Sequence, residues 1–276
     1  MSYPFLKGHG TENDFVLLPD HDGSVHGDLD PGRVAALCDR RAGIGGDGVL
    51  RVVRSVALDP GFAAAHPEAE WFMDYRNADG SLSEMCGNGV RLFARHLVDS
   101  GLASSPVPIG TRDGVKVVTV EGERITADLG VPRAYGASAV TVGGRTWTAR
   151  HVDMGNPHAV AFVASLDDAG PLLEEPGYDA ATYPDGVNVE FVVRRGERHV
   201  ALRVHERGSG ETRSCGTGAC AAAVAARTWA GPGAPDRWWV RVPGGTVQVT
   251  VGGDQVELAG PAVLVADVDV VAAALG

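Results

Sequence analysis

Apolar and polar positions alternate along most of this chain in short runs broken by glycine, proline or charge. VKVVTV (115–120) and RITADL (124–129), joined by EGE, have the two-residue period of a β-hairpin, and AVTV (139–142) and TWTARHV (146–152) flank a Gly-Gly turn in the same way. HAVAFV (158–163), VNVEFVV (187–193), HVALRVHE (199–206), WWVRV (238–242), TVQVTV (246–251) and QVELAG (255–260) predict further strands. Such alternation suits antiparallel sheets with one face covered. Two segments have helical character instead. NGVRLFARHLVDS, about Asn88 to Ser100, stops at Gly101, and GACAAAVAARTWA, about Gly218 to Ala230, stops at Gly231-Pro232, both ordinary helix ends. Helices and strands do not follow a regular βαβ order, so the predicted class is α+β.

The two helices open alike. MCGNGVRLFA (85–94) and SCGTGACAAA (214–223) share Cys-Gly-x-Gly ahead of an apolar helix. Upstream, NADG (77–80) matches ERGSG (206–210), with Asn77 and Glu206 each nine residues before the cysteine. Further back GGDGVL (45–50) resembles PDGVNV (184–189), and TENDFV (11–16) loosely resembles GNPHAV (155–160). Four matches in one order indicate an internal duplication, divided near residue 131 in LGVPRAYGAS. Two similar domains related by pseudo-twofold symmetry are expected.

Composition narrows the chemistry. The chain has 24 Lys plus Arg against 35 Asp plus Glu, a formal charge of −11, and carries no basic run. That balance argues against nucleic acid or an anionic membrane as the main partner. No apolar stretch approaches the roughly 18 residues of a membrane helix, and MSYPFLKGHG lacks the pattern of a signal peptide. Four cysteines, Cys38, Cys86, Cys215 and Cys220, are too few for a disulfide scaffold at this size and fit a reducing cytoplasm. Lys7 and Lys116 are the only lysines, and Lys116 lies inside a strand-like run, which disfavours a pyridoxal Schiff base.

Cys86 and Cys215 each stand at the mouth of a helix, where unpaired N–H groups and the dipole favour a thiolate. Such positions lower a thiol pKa from about 8.5 to roughly 3.5–7.5. The neighbouring glycines let a ligand approach the backbone, whose amides can hold a carboxylate. Facing one another across a pseudo-twofold axis, two such thiols suit inversion at carbon: one removes a proton and the other returns it to the opposite face. A redox pair is the alternative, although neither cysteine lies in Cys-x-x-Cys. Zinc is disfavoured because Cys215 and Cys220 lack a second close ligand pair. Cys38 and Cys220, among Ala and Leu, read as buried apolar residues, and GIGGDG as a tight turn rather than a phosphate loop.

At this point the chain resembles the diaminopimelate epimerases, through GHGTENDF (8–15), RAGIGGDG (41–48), NADGSLSEMCGNGVR (77–91), GNPH (155–158), GVNVEF (186–191) and ERGSGETRSCGTGACA (206–221). The resemblance implies a cofactor-free epimerase, without metal, that interconverts LL- and meso-diaminopimelate in lysine and peptidoglycan precursor synthesis. It implies two α+β domains, each a mainly antiparallel sheet wrapped on a central helix, spanning 1–130 plus 262–276 and 131–261, with the site in the cleft between them. Cys86 and Cys215 match the catalytic thiols, and His158 and Glu206 residues that tune them. Asn13, Asn77, Asn156, Asn188 and Arg207 match substrate-binding positions, and Gly87, Asn88, Gly216 and Thr217 the helix-end amides. Glu206 would also take an ammonium of the substrate. A cytoplasmic homodimer acting on a small amino acid is implied as well. Two departures stand out: Gly48 replaces a Gln that touches substrate in some members, and Ala266 replaces a Tyr used in dimer contacts. Other cofactor-free isomerases of this architecture, such as proline racemase-like or phenazine-biosynthesis-type enzymes, are the nearest rivals. A binding protein for zwitterionic amino acids, with redox-sensing cysteines, is the rival from another class.

Overall fold

The computed structural model describes residues 2–271. The chain divides into two compact units, Met1–Ala127 with Pro261–Gly276, and Asp128–Gly260. The first opens with β1 (Ser2–Gly10) and β2 (Asn13–Pro19), followed by α1 (Pro31–Cys38) and β3 (Gly48–Arg54). Two short helices, α2 (Ser55–Leu58) and α3 (Pro60–Ala65), lead to β4 (Trp71–Asn77) and the long helix α4 (Gly87–Asp99). Strands β5 (Val107–Thr111), β6 (Gly114–Glu121) and β7 (Arg124–Asp128) complete the first pass.

The second unit runs through β8 (Arg133–Val142), β9 (Arg145–Asp153), β10 (Pro157–Phe162), a 3-10 turn at Leu166–Ala169, and β11 (Gly177–Tyr178). Then come β12 (Asn188–Gly196), β13 (His199–Glu206), β14 (Gly210–Thr212) and α5 (Gly216–Ala230). It closes with β15 (Arg237–Val242), β16 (Gly245–Gly252) and β17 (Gln255–Gly260), after which β18 (Val263–Val271) returns to the first unit and pairs with β1. Among the described residues no helix is long and apolar enough to cross a membrane.

The main ladder of the first unit runs β18-β1-β2-β3-β4-β5-β6-β7, with β2–β3 and β4–β5 parallel and the rest antiparallel. That of the second runs β8-β9-β10-β12-β13-β15-β16-β17, with β10–β12 and β13–β15 parallel. Strand order, direction and the place of the long helix are therefore the same in both, which is the duplication in three dimensions.

Each long helix packs against the strands of its own unit, α4 against β1, β2, β3, β5, β6 and β18, and α5 against β9, β10, β12, β13, β15, β16 and β17. Burial explains their composition. Gly216 to Ala226 of α5 are all buried, so the alanine run fits a helix enclosed by sheet on all sides. In α4, ten of the thirteen residues are buried, including Arg91. The helix α4 ends in a Schellman motif: the N–H of Leu102 donates to the carbonyl of Leu97, the N–H of Gly101 to that of Val98, and Gly101 takes φ +66°. In the first unit the other face of the sheet is covered too, as Val16, Leu18 and Val49 pack with Val34 and Leu37 of α1.

Candidate active site

Both helices begin at a cysteine. Cys86 has extended backbone (φ −136°, ψ 123°) and caps α4, its sulfur accepting a hydrogen bond from Gly89 N at 3.4 Å. Cys215 (φ −113°, ψ 119°) caps α5, its sulfur accepting from Gly218 N at 3.3 Å. A first-turn amide and the positive helix end thus bear directly on each sulfur.

Around Cys86, Asn13 Oδ1 lies 3.5 Å from the sulfur and accepts from Asn88 Nδ2 at 3.1 Å. Asn13 Nδ2 donates to Asp47 Oδ2 at 2.7 Å, while buried Arg91 donates to Asn88 Oδ1 at 3.0 Å and to the Gly87 carbonyl at 3.1 Å. The GIGGDG turn is held by charge. Arg40 bridges Asp14 and Asp47, and Lys7 donates to Asp14 and to the Gly45 carbonyl. Burial opposes the charge of Asp14, but hydrogen bonds from Arg40 and Lys7 outweigh it and bring its carboxyl down to about 2. Asn77 stands apart from this group, its side chain donating to Ser81 Oγ at 3.0 Å within the turn that follows β4.

Around Cys215 the partners are of other types. The sulfur lies 3.5 Å from Thr217 Oγ1, which Asn156 Nδ2 reaches at 3.4 Å. Asn156 Oδ1 lies 2.9 Å from His158 Nε2, and His158 Nδ1 lies 2.6 Å from Glu190 Oε1. His158 and Glu190 are wholly buried. Asn188 Nδ2 donates to the Pro157 carbonyl, and Asn188 Oδ1 accepts from Arg207 N, each at 3.0 Å. The Arg207 guanidinium is held by the Asp185 carbonyl at 3.0 Å, and Glu206 accepts from the Thr212 hydroxyl. Burial, then the charges of Glu206 and Glu190, push the Cys215 thiol well above its ordinary range against the helix-end bonds.

Strand register aligns the two clusters residue by residue. Gly48 lies opposite Asn77, and Val189 opposite His205, which sets Gly48 of β3 against Asn188 of β12 and Asn77 against Glu206. Phe15 lies beside Gly48, and His158 beside Asn188, which sets Phe15 against His158 and Asn13 against Asn156. The two looser sequence matches, TENDFV with GNPHAV and GGDGVL with PDGVNV, are therefore each displaced by one residue. Across these positions Asn13–Asn88 and Asn156–Thr217 are bonds at equivalent places, Asn13 opening β2 and Asn156 immediately preceding β10, each reaching the second residue of the helix.

Sequence reasoning passed over Glu190, Asp47 and Arg91. Glu190 had a signal, as the only charged residue in VNVEFVV, where a buried charge calls for a partner. At Gly48 a Cβ would meet the Arg76 carbonyl oxygen at 2.5 Å and Tyr75 Cε2 at 2.7 Å, so close strand approach and the Tyr75 ring exclude any side chain. Cys38 and Cys220 are buried, and burial drives the Cys38 thiol up to about 11. Ala266 is exposed on β18, opposite Lys7 of β1.

The fold is one in which several isomerases and related enzymes have been solved. A phenazine biosynthesis protein of the PhzF family from Bacillus anthracis matches with TM-score 0.70 at 17% identity, over 98% of this chain and 99% of that one. A hydroxyproline epimerase from Agrobacterium vitis, with trans-4-hydroxy-L-proline bound, matches with TM-score 0.66 at 16% identity, over 98% and 92%. These likenesses show the α+β fold of the chain. Sequence takes the assignment further: the family model for diaminopimelate epimerase matches residues 5–135 and 150–265, and the diaminopimelate epimerase of Streptomyces coelicolor is 57% identical over 95% of this chain and 93% of its own. The chain belongs to the diaminopimelate epimerase family and is an isomerase.

Proposed function

We propose that this protein interconverts LL- and meso-2,6-diaminopimelate without a cofactor, with Cys86 and Cys215 as its two proton-transfer groups. The reading is carried by the repeated cap: a cysteine at the head of each central helix, its sulfur accepting from the third amide beyond it, at 3.4 and 3.3 Å. In the resting enzyme one sulfur is ionised and the other carries a proton. The thiolate takes the α-hydrogen as the C–H bond breaks, and the electron pair spreads into the α-carboxylate. The thiol then gives its proton to the opposite face of the carbon, so the configuration inverts and the two sulfurs exchange roles. First-turn amides at Gly87, Asn88, Gly216 and Thr217 supply donors for that carboxylate as its charge grows.

The distal end of the substrate bears a second ammonium and carboxylate. Asn13, Asn77, Asn156 and Asn188 donate and accept without adding charge, Arg207 suits the carboxylate and Glu206 the ammonium. Such a two-ended grip holds the reacting carbon in place. The same reading makes the protein a cytoplasmic homodimer that supplies lysine and peptidoglycan precursors.

The test is exchange. Purified protein incubated under reducing conditions with LL-diaminopimelate in deuterated water, without pyridoxal phosphate, is expected to incorporate α-deuterium and form the meso isomer. Protein that does neither is not an epimerase of this substrate. Cys86→Ala and Cys215→Ala are each expected to lose at least about a hundredfold in turnover while keeping the circular dichroism of the parent. Full activity in either variant would remove the two-base scheme.

A further inference from the structure

The two thiol sites differ most beneath the first turn of each helix. A Cβ at Gly218 would meet Glu190 Oε1 at 2.7 Å and Cys215 Sγ at 3.2 Å, whereas a Cβ at Gly89 would meet Cys86 Cβ and the methyl groups of Leu50 at 3.4–3.5 Å. Leu50 and Glu190 are each the third residue of their strand, two beyond the aligned pair Gly48 and Asn188. The same register sets Phe15 against His158. Under Cys86 the sheet therefore presents Phe15 and Leu50, both apolar and fully buried; under Cys215 it presents His158 and Glu190, equally buried. One duplicated frame carries an apolar pair in one unit and an ionisable pair in the other.

We infer that the buried His158–Glu190 pair makes the two thiols unequal, holding Cys215 in its proton-bearing form and leaving the ionised role in the resting enzyme to Cys86. The carboxylate and the Cys215 sulfur lie 2.7 and 3.2 Å from one point, so about 6 Å at most separates them. Within a dry interior that distance makes a second negative charge on sulfur costly. His158 Nδ1 faces Glu190 Oε1 and Nε2 faces the Asn156 carbonyl oxygen, so both ring nitrogens face acceptors. Glu190 Oε2 is buried with no hydrogen-bond partner, and besides His158 only the residue's own backbone N–H offsets the charge of the carboxylate. Burial, the largest influence, raises the Glu190 carboxyl, and the charge and hydrogen bond of His158 pull it only part of the way back.

The other groups bearing on this cluster are Glu206 from β13, which also disfavours a Cys215 thiolate, Thr217 and the Gly218 amide from α5, which favour it, Tyr183 from the loop before β12, and His151 from β9. Glu190 acts through His158 and the local field, as a positioning residue. Two identical thiols at pH 7 would populate the doubly protonated and doubly ionised forms as well as the useful one. A fixed inequality removes that loss.

The inference rests on Cys215 being a reacting thiol, but its test reads sulfur rather than turnover. The full-length reduced protein is alkylated with iodoacetamide across pH 5–10, about the range in which perturbed thiols titrate, and peptide mapping gives the rate at each cysteine. The pH of half-maximal rate does not depend on how readily the reagent reaches the sulfur. In the parent protein Cys86 is expected to reach half-maximal rate at least about one pH unit below Cys215, a tenfold difference in thiolate fraction. Glu190→Gln is expected to move the Cys215 profile down by about one unit or more and leave that of Cys86 in place, while Glu190→Asp restores most of the parent profile. Equal profiles in the parent, an unmoved Cys215 in a folded Glu190→Gln, or equal movement of both thiols would each overturn the inference. Should Glu190→Gln fail to fold, the comparison within the parent protein still decides. Absence of α-hydrogen exchange would remove the epimerase reading and leave these profiles unchanged.

Discussion

Gly218 and Gly89 hold the same place in two helices, yet an added methyl group meets different neighbours at each. At Gly218 it would collide with a buried carboxylate oxygen at 2.7 Å and a sulfur at 3.2 Å, neither at the end of a free side chain. At Gly89 its nearest neighbours lie at 3.4–3.5 Å, ordinary contact distance. Neither glycine has positive φ, so helix propensity favours alanine at both by up to about 1 kcal/mol. Gly218→Ala is therefore expected to destabilise the protein by about 1–3 kcal/mol through overpacking, while Gly89→Ala stays within about 1 kcal/mol of the parent or gains. Chemical denaturation of both variants checks this, and equal losses would show that the Glu190 oxygen yields as easily as Leu50. The glycines were legible in the repeated Cys-Gly-x-Gly. What presses against them was not, because Leu50 and Glu190 arrive from strands distant in sequence.

At the scale of elements, the first unit's early strands show how partnered charges hide a strand. VKVVTV and RITADL announce β6 and β7 by alternation, but β3 contains Arg51 and β4 contains Asp74, both buried and paired with each other, Arg51 also with Asp20. Charge inside an apolar run reads as a break, and only the folded pairing explains it. The parallel pairs β2–β3 and β10–β12 were illegible for a related reason: their partners lie beyond long connections, with no turn signal. The Lys7, Arg40, Asp14 and Asp47 cluster is a similar device, tying β1, β2 and the turn after α1. The Asp14 carboxyl falls from 3.8 to about 2 on folding. A lowered folded value means the stabilisation is complete above the unfolded pKa and is lost as pH falls toward the folded one. The contribution, on the order of 2 kcal/mol, should disappear between about pH 4 and 2. Melting temperatures recorded over that window are expected to fall more steeply for the parent than for Asp14→Asn. Parallel curves would mean that the cluster adds nothing to acid stability.

For the whole molecule, the net charge of −11 first reads as a barrier to a substrate bearing two carboxylates. Diaminopimelate also bears two ammonium groups, so it is nearly neutral and the overall field acts on it weakly. Recognition in the proposed site is local instead, through helix-end amides, asparagine amides and single charges such as Arg207 and Glu206, each fixed by a bond within its own unit. Interactions of that range lie inside the Debye length of about 10 Å at 0.1 M salt, whereas the field of distant surface carboxylates does not. Steering by net charge would show as a steep salt dependence of kcat/KM. For this enzyme kcat/KM with LL-diaminopimelate is expected to change by less than about twofold as sodium chloride rises through the range where the Debye length falls from about 30 to 8 Å. A fall of about tenfold would mean that long-range charge guides the substrate, and the surface carboxylates would then need to be weighed alongside the residues that surround Cys86 and Cys215.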